Sequence, residues 1–351
     1  MDEKIQYAPK PNQGEPWDVV IIGSGPAALT AAIYTTRGAV STLILGGSKW
    51  GGQLMLTTLV DNFPGFPEGI QGPELMMKLR RQAERFGAEL IEKDVYELQV
   101  ETQPHTVSTS SETFQARSII IATGADTKWL GVPGEDKLRG RGISSCAPCD
   151  APFFKDKKVA VVGGGDAALE EALVLTKYTS KITLIHRRDQ LRASHAMQQK
   201  IKGNEKINII WDTEVMEMSG DSVLSSVKLK TKSESNQSKE LKSGMLDKLG
   251  GKMIQEIDGS FLWEMPLEGL FVAVGHAPAT GVFKGKVEMD EKGYIIKDKN
   301  KEYLTSTSVE GIFVAGDVND YRYKQAITAS GYGCMAGMDV LKYLDKKSPS
   351  R

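Results

Sequence analysis

Two cysteines three positions apart, Cys146 and Cys149, are the residues best equipped for chemistry in this chain. The stretch Cys146-Ala147-Pro148-Cys149 can close a small disulfide, open it again and so pass two electrons. Asp150 follows at once, an acid placed to handle the proton that thiol chemistry produces. A CxxC is also half of a zinc site, and a tetrahedral zinc needs about four ligands. The remaining cysteine is Cys334, and the nearest histidines in sequence, His186 and His195, lack the close spacing of a metal-binding pair. The pattern therefore favours redox chemistry over a metal. Cys146, Cys149 and Asp150 are the candidate catalytic residues.

A redox pair needs something to position it and something to supply electrons. Residues 17–22 form a near-continuous apolar run, the signature of a buried parallel strand. It leads directly into Gly23-Ser24-Gly25-Pro26-Ala27-Ala28 and a helical stretch over 29–37. That is the strand, glycine turn and helix order of a dinucleotide fold, with Ala28 in the third glycine's place. Gly23 allows the tight turn, and Gly25 lets backbone approach a pyrophosphate seated on the helix N-terminus. A ribose-binding acid is expected about 20 residues later, yet no Asp or Glu occurs between Asp18 and Asp61. Two glycine pairs, Gly46-Gly47 and Gly51-Gly52, stand there instead, the second followed by Gln53-Leu54. They suggest backbone wrapped around a ligand other than a simple nicotinamide. Next come a rigid aromatic loop at 62–67, a helix from Pro73 to about Phe86 and a small β-meander over 95–107 and 113–115. Another buried strand, 117–124, ends in a glycine.

After the cysteine pair the pattern repeats. A buried strand at 158–162 enters Gly163-Gly164-Gly165-Asp166-Ala167-Ala168 and a helix over 169–178. Two such fingerprints in one chain are much less expected by chance than one. The strand 181–185 ends in His186-Arg187-Arg188, where a ribose acid would sit, and Arg192 follows one helical turn on. Guanidinium groups at that place can grip a 2′-phosphate bidentately, which argues for NADPH over NADH. The second turn thus takes NADPH, and the first should take FAD. Residues 219–267 read as irregular and polar, and 243–251 show no clear period. Buried strands return at 270–276 and 311–317, the latter with Asp317 at its C-terminal end, where open α/β sheets bind ligands. Asp317 is placed to accept hydrogen bonds from a cofactor's hydroxyls. A final helix over 325–344 carries Cys334, read as a small buried apolar residue.

Composition sets bounds. A length of 351 residues suits about two domains. A net charge of −1 gives no electrostatic case for nucleic acid or an anionic membrane. No apolar run is long enough to span a bilayer. The first 16 residues lack the apolar core of a secretion signal and read as a loose arm. Three cysteines make no disulfide framework, so the expected compartment is reducing and cytoplasmic, and a disulfide there is a working one.

Taken together, the motifs GSGPAA, GGQL, NFPGFP, IIIATGA, CAPCD, VVGGGDAALEEA, HRRDQLRAS, VAVGHAPAT, GIFVAGDV and KQAITASGYGCMA resemble the low-molecular-weight thioredoxin reductases, in that family's order and over nearly the whole chain. The resemblance implies an α/β fold of two Rossmann-like dinucleotide-binding domains. An FAD domain at 17–127 and 276–351 would be split by an inserted NADPH domain at 128–275. It implies a homodimer, hinge strands near Thr127 and His276, and thioredoxin as the disulfide partner. Cys149 would meet the flavin, Cys146 would attack the thioredoxin disulfide, and Asp150 would be the acid–base group. Around the first turn and the last strand, the cofactor-binding candidates are Gly23, Ser24, Gly25, Pro26, Ala27, Gly46, Gly51, Gly52, Gln53, Leu54, Asn62, Ala122, Thr123, Gly124, Gly316, Asp317, Val318, Lys324, Gln325 and Ala326. Around the second they are Gly163, Gly165, Asp166, Ala167, His186, Arg187, Arg188 and Arg192. Pro148, Ala151 and Lys324 depart from the family's usual Thr or Val, Gly and Arg, and residues 232–264 exceed its usual loop. Two alternatives remain open on the residues alone: another disulfide acceptor, such as a peroxidase partner or a small disulfide, and a flavoprotein redox sensor.

Overall fold

The computed structural model describes residues 10–12, 14–57, 59–257 and 259–347. Most of the expected arm at 1–16 lies outside the described residues. The chain forms two compact units, one of Met1–Asp126 with Ala277–Arg351, the other of Thr127–His276.

In the first unit β1 (Trp17–Ile22) feeds α1 (Pro26–Arg37) and β2 (Thr42–Leu45). The short pair β3 (Leu59–Val60) and β4 (Ile70–Gln71) precedes α2 (Gly72–Arg85), β5 (Glu89–Ile91), β6 (Val95–Gln99), β7 (His105–Thr109), β8 (Thr113–Ile121) and β9 (Ala125–Thr127). The sheet runs β5-β2-β1-β8, with β7 and β6 beyond and β20 also on β8. The meander and the buried strand expected at 113–115 and 117–124 are one nine-residue strand, β8. Its first half pairs with β7 and its second half with β20, while β1 lies along its other edge. The side chains of β1 and β8 are apolar where α1 covers them, and Val19, Ile21, Ala28, Leu29 and Ile120 are fully buried.

The second unit holds α3 (Glu135–Leu138), β10 (Ile143–Ser144), α4 (Ala147–Asp150), β11 (Val159–Val162), α5 (Asp166–Leu175), β12 (Ile182–Ile185), α6 (His195–Ile201) and β13 (Ile207–Ile210). It continues with β14 (Thr213–Ser219), β15 (Ser226–Lys232), α7 (Asn236–Glu240), α8 (Leu246–Leu249), β16 (Lys252–Ile257), β17 (Ser260–Pro266) and β18 (Gly269–Val272). A five-stranded parallel sheet has the order β10-β18-β11-β12-β13. The chain then returns through β19 (His276–Pro278), which pairs with β9, to β20 (Ile312–Val314) and α9 (Ala326–Lys347).

Three expectations are corrected. Residues 219–267 are largely ordered: β15, β17 and β16 join β14 in an antiparallel sheet, β14-β15-β17-β16. Val227, Leu229, Phe261, Trp263 and Met265 point inward at alternate positions, and the Trp263 indole N–H donates to Thr231 Oγ1 (2.9 Å). The polar outward residues masked that alternation in the sequence. The long segment at 232–264 is spent on α7, α8 and the exposed edge strand β16. The second correction is to Arg192, which lies in non-helical chain before α6 and is held by its own N–H on Gly164 O (2.7 Å). Finally, Cys334 is half-buried, with Met338 Sδ 3.9 Å from its thiol.

Helix α9 lies against α1 at a point with no room for a side chain. A Cβ on Gly333 would stand 2.1 Å from the carbonyl oxygen of Ala27. Gly333→Val should push α9 off α1 and cost about 1–3 kcal/mol, the range of an overpacked core. Chemical denaturation of the cofactor-free protein measures this, and an unchanged midpoint would contradict the packing described.

Candidate active site

The cysteine pair is a closed disulfide, with its Cα atoms 5.3 Å apart. Extended backbone at Cys146 gives way to α4, the single turn Ala147–Asp150, with Pro148 in its first turn. That turn brings the N–H groups of Cys149 and Asp150 onto the Cys146 carbonyl (3.2 and 3.0 Å). Ser144, at the end of β10, ties the loop together: its hydroxyl donates to Asp150 Oδ2 (2.6 Å) and accepts from the Cys146 N–H (3.0 Å). Burial raises the Asp150 carboxyl above its ordinary value, against the Ser144 hydrogen bond that favours the anion. A carboxyl so shifted can hold a proton nearer neutral pH.

In the first unit a cavity of about 510 Å³ opens where β1, β2 and β8 end, within the rough 300–1,000 Å³ of small-molecule and cofactor sites. It lies at the switch point of the strand order, between β1 and β8. Gly23 (φ +121°) is forced: a Cβ there would meet the Ala122 carbonyl oxygen at 2.2 Å. Gly25 caps α1, and no heavy atom lies within 4 Å of where its Cβ would stand. The first-turn N–H groups of α1 therefore face open space, the arrangement that receives a pyrophosphate. The Ser24 hydroxyl donates to Gly46 O (2.6 Å) and accepts from Gly51 N–H (2.9 Å), fixing the two glycine pairs around the turn.

Most of the expected residues meet here. Gly23, Ser24, Gly25, Pro26, Ala27, Gly46, Gly52, Gln53, Leu54, Ala122, Thr123, Gly124, Asp317, Lys324, Gln325 and Ala326 all line the cavity. Gly51, Asn62, Gly316 and Val318 do not. Gly51 supports the turn through Ser24, and Asn62 donates its side-chain amide to Gln325 Oε1 (3.1 Å). Gly316 packs on Ala27, and Val318 is core. The acid missing after β2 has a counterpart the sequence reading overlooked. Asp94, three residues past β5, lines the cavity and accepts the Ser48 N–H (3.1 Å).

Asp317 tests whether a polyhydroxyl cofactor fits. Its Oδ1 is buried without a hydrogen-bond partner, in the wall of the cavity. Burial and neighbouring Asp320 push it up to about 7, with Lys324 pulling the other way. A buried acceptor facing a cavity is what a ribityl hydroxyl would satisfy. The glycine cradle and this carboxyl together fit FAD.

The second glycine turn repeats the design. A Cβ on Gly163 would meet the Ala273 carbonyl oxygen at 2.5 Å, and Gly165, the cap of α5, again faces open space. Arg187, Arg188 and Arg192 are exposed beyond β12. The donor set suits a 2′-phosphorylated dinucleotide. Two expected residues brace the loop. His186 is buried: its Nε2 lies 2.9 Å from Gln190 O, and its ring is so close to Gly164 that a Cβ there would clash at 2.2 Å. Asp166 accepts from the N–H and hydroxyl of Ser194 (2.9 and 2.7 Å), which lower its pKa and hold the basic loop in place.

Sequence reasoning also missed Ser144 and Glu171. The Ala147 N–H donates to Glu171 Oε2, on α5. The available signals were a serine two places before Cys146 and the doublet Glu170-Glu171 within a helix otherwise apolar after its first residue. Among the described residues, no cluster of three or more His, Cys, Asp or Glu is placed to hold a metal ion, and no helix is long and apolar enough to cross a membrane.

Two Rossmann-like sheets, each ending in a glycine turn, and a redox-active CxxC define a class. Residues 17–333 match the pyridine nucleotide-disulphide oxidoreductase family, and the chain belongs to it. It is 44% identical to the thioredoxin reductase of Streptomyces coelicolor over 95% of this chain and 98% of that one. The thioredoxin reductase of Mycolicibacterium smegmatis is likewise 44% identical, over 93% and 96%. Among solved structures, the thioredoxin reductase from Streptococcus pyogenes superposes with a TM-score of 0.81 at 37% identity, covering 94% of this chain and 98% of its own.

Asp317 generates a test with opposite signs. Its folded value lies above its unfolded one, so its stabilising contribution is complete below the ordinary carboxylate range. That contribution is lost as pH rises through about 7. Cofactor-free protein should lose stability between about pH 4 and 7 on this account. Asp317→Asn should flatten that slope while weakening FAD retention. Thermal melts of the cofactor-free protein across pH, with FAD titrations, measure both. A variant that binds FAD as tightly as the parent would remove Asp317 from the site.

Proposed function

We propose that this protein is an NADPH-dependent, FAD-containing thioredoxin reductase. The observation that carries the reading is the Cys146–Cys149 disulfide with its raised Asp150 carboxyl, in a chain similar over 95% of its length to a thioredoxin reductase. FAD supplies two-electron redox chemistry between NADPH and this disulfide. The first unit is the FAD-binding domain, with Gly23, Gly25, Gln53, Asn62, Asp317, Gln325 and Ala326 among the residues that hold it. The second is the NADPH-binding domain, with Gly163 and Gly165 under the pyrophosphate and Arg187, Arg188 and Arg192 on the 2′-phosphate. Lys324 lines the first cavity as a point charge, where a guanidinium would bind bidentately.

Once the pair is reduced, Cys146 attacks the thioredoxin disulfide and a mixed disulfide forms. Cys149 then attacks Cys146, the mixed bond breaks, and thioredoxin leaves as a dithiol. Asp150 provides and takes the protons of these exchanges. A homodimer is supported by an exposed apolar line on α1 and α9, where Tyr34, Ile327, Met335 and Met338 are uncovered. A reducing, cytoplasmic setting agrees with three cysteines of which two form the working pair.

The purified protein should be yellow, bleach with NADPH and recover its colour when oxidised thioredoxin is added. Cys149→Ser should still bleach but lose thioredoxin reduction. Arg187→Ala should raise the KM for NADPH about 10- to 100-fold, the size of a lost charge-assisted hydrogen bond, with NADH little affected. A colourless protein that takes up no flavin would overturn the reading, as would full thioredoxin reduction by Cys149→Ser.

A further inference from the structure

We propose that Glu171 is a positioning residue of the redox pair: its carboxyl grips the peptide N–H next to Cys146 and takes up a proton when the disulfide opens. The inference rests on the reductase reading and adds to it a second carboxyl beside Asp150.

The geometry is specific. Helix α5 packs on α4, and from it Glu171 accepts the Ala147 N–H, one peptide unit from Cys146. That hydrogen bond favours the anion. Opposing it are burial, the Asp150 carboxyl on α4 and Glu170 on its own helix, and together they push Glu171 up to about 7. The other elements against α5 add no opposing charge to this account. On α6 the titratable side chains are His195 and Lys200, both exposed, and β11 and β12 carry no charged residue. Two acids therefore hold the loop of a disulfide that must become two thiols.

The balance fixes what they do. NADPH, one proton from solvent and the disulfide yield NADP⁺ and two thiols. The S–S bond breaks, two electrons arrive as hydride from NADPH, and two protons end on the sulfurs. When one sulfur stays a thiolate, its proton has to reside elsewhere. New negative charge one peptide from Ala147 disfavours ionised Glu171, so the proton moves onto that carboxyl. An ionised Glu171 raises the thiol in turn. The carboxyls and sulfurs titrate as a set, with apparent values that belong to the set.

The test uses the FAD-loaded protein with its disulfide opened by a phosphine, so that it does not depend on NADPH. Iodoacetamide labelling of Cys146 is followed by mass spectrometry between about pH 5.5 and 9. Glu171→Gln keeps an acceptor for the Ala147 N–H and removes the charge. Its labelling midpoint should fall by about one pH unit, giving about tenfold more thiolate at low pH. The lower nucleophilicity of a more acidic thiol trims the gain to about threefold in rate. On the parent protein, infrared difference spectra should show a protonated-carboxyl band that grows on reduction near neutral pH and loses its Glu171 component in Glu171→Gln, while any component from Asp150 remains. A superimposable labelling profile in a folded variant, or no carboxyl band in the parent, overturns the proposal. Adding NADPH in place of the phosphine separates the two readings: a pair that the phosphine opens and NADPH does not sinks the reductase, while the labelling profiles still decide the role of Glu171.

Discussion

Both units depend on one close approach. In each, the strand that feeds the glycine turn ends beside the carbonyl of a parallel neighbour at a distance that no side chain survives. Gly23 meets Ala122 in this way, and Gly163 meets Ala273. Each contact stands where the strand order reverses, β1 against β8 and β11 against β18. Because the backbone turns there without a Cβ, α1 and α5 begin with their N–H groups uncovered. The uncovered N–H groups at both turns thus follow from a steric constraint, not from a charged side chain.

How much of this the sequence disclosed follows from the physics of each signal. Fully buried parallel strands read clearly, because every residue is apolar and the glycine follows at once. The Asp317 carboxyl was legible from its place past a strand end. The antiparallel sheet β14-β15-β17-β16 was not, since its outward positions are lysines, serines and glutamates that resemble a loop. The burial of His186 was not legible because position along the chain says nothing about which way a ring turns, and packing on Gly164 turned it inward. Ser144 and Glu171 escaped because their importance is a matter of contact: each touches the Cys146 loop from a different element.

Carboxyls held above their ordinary range occur in both units, at Asp317 in one and at Asp150 and Glu171 in the other. Each is a burial cost accepted by the fold at a place where chemistry needs it. On the function proposed, a hydroxyl-bearing ligand relieves the cost at Asp317. On the same proposals, at Asp150 and Glu171 it maintains proton-holding groups against the loop that carries the redox pair.

The insertion of one unit within the other also orders the chain in time. Strand β8 must await β20, with Ile120 opposite Phe313, before its edge is covered. The inserted unit needs nothing beyond His276 to complete its parallel sheet. Its two ends are adjacent, with Lys128 N–H on Gly275 O (3.0 Å), so closing it costs its host little loop entropy. As the polypeptide emerges from a ribosome, the nested unit can be finished while the first sheet still lacks a strand. Until α9 has emerged to cover α1, the outer unit remains an unfinished fold exposed to chaperones and proteases.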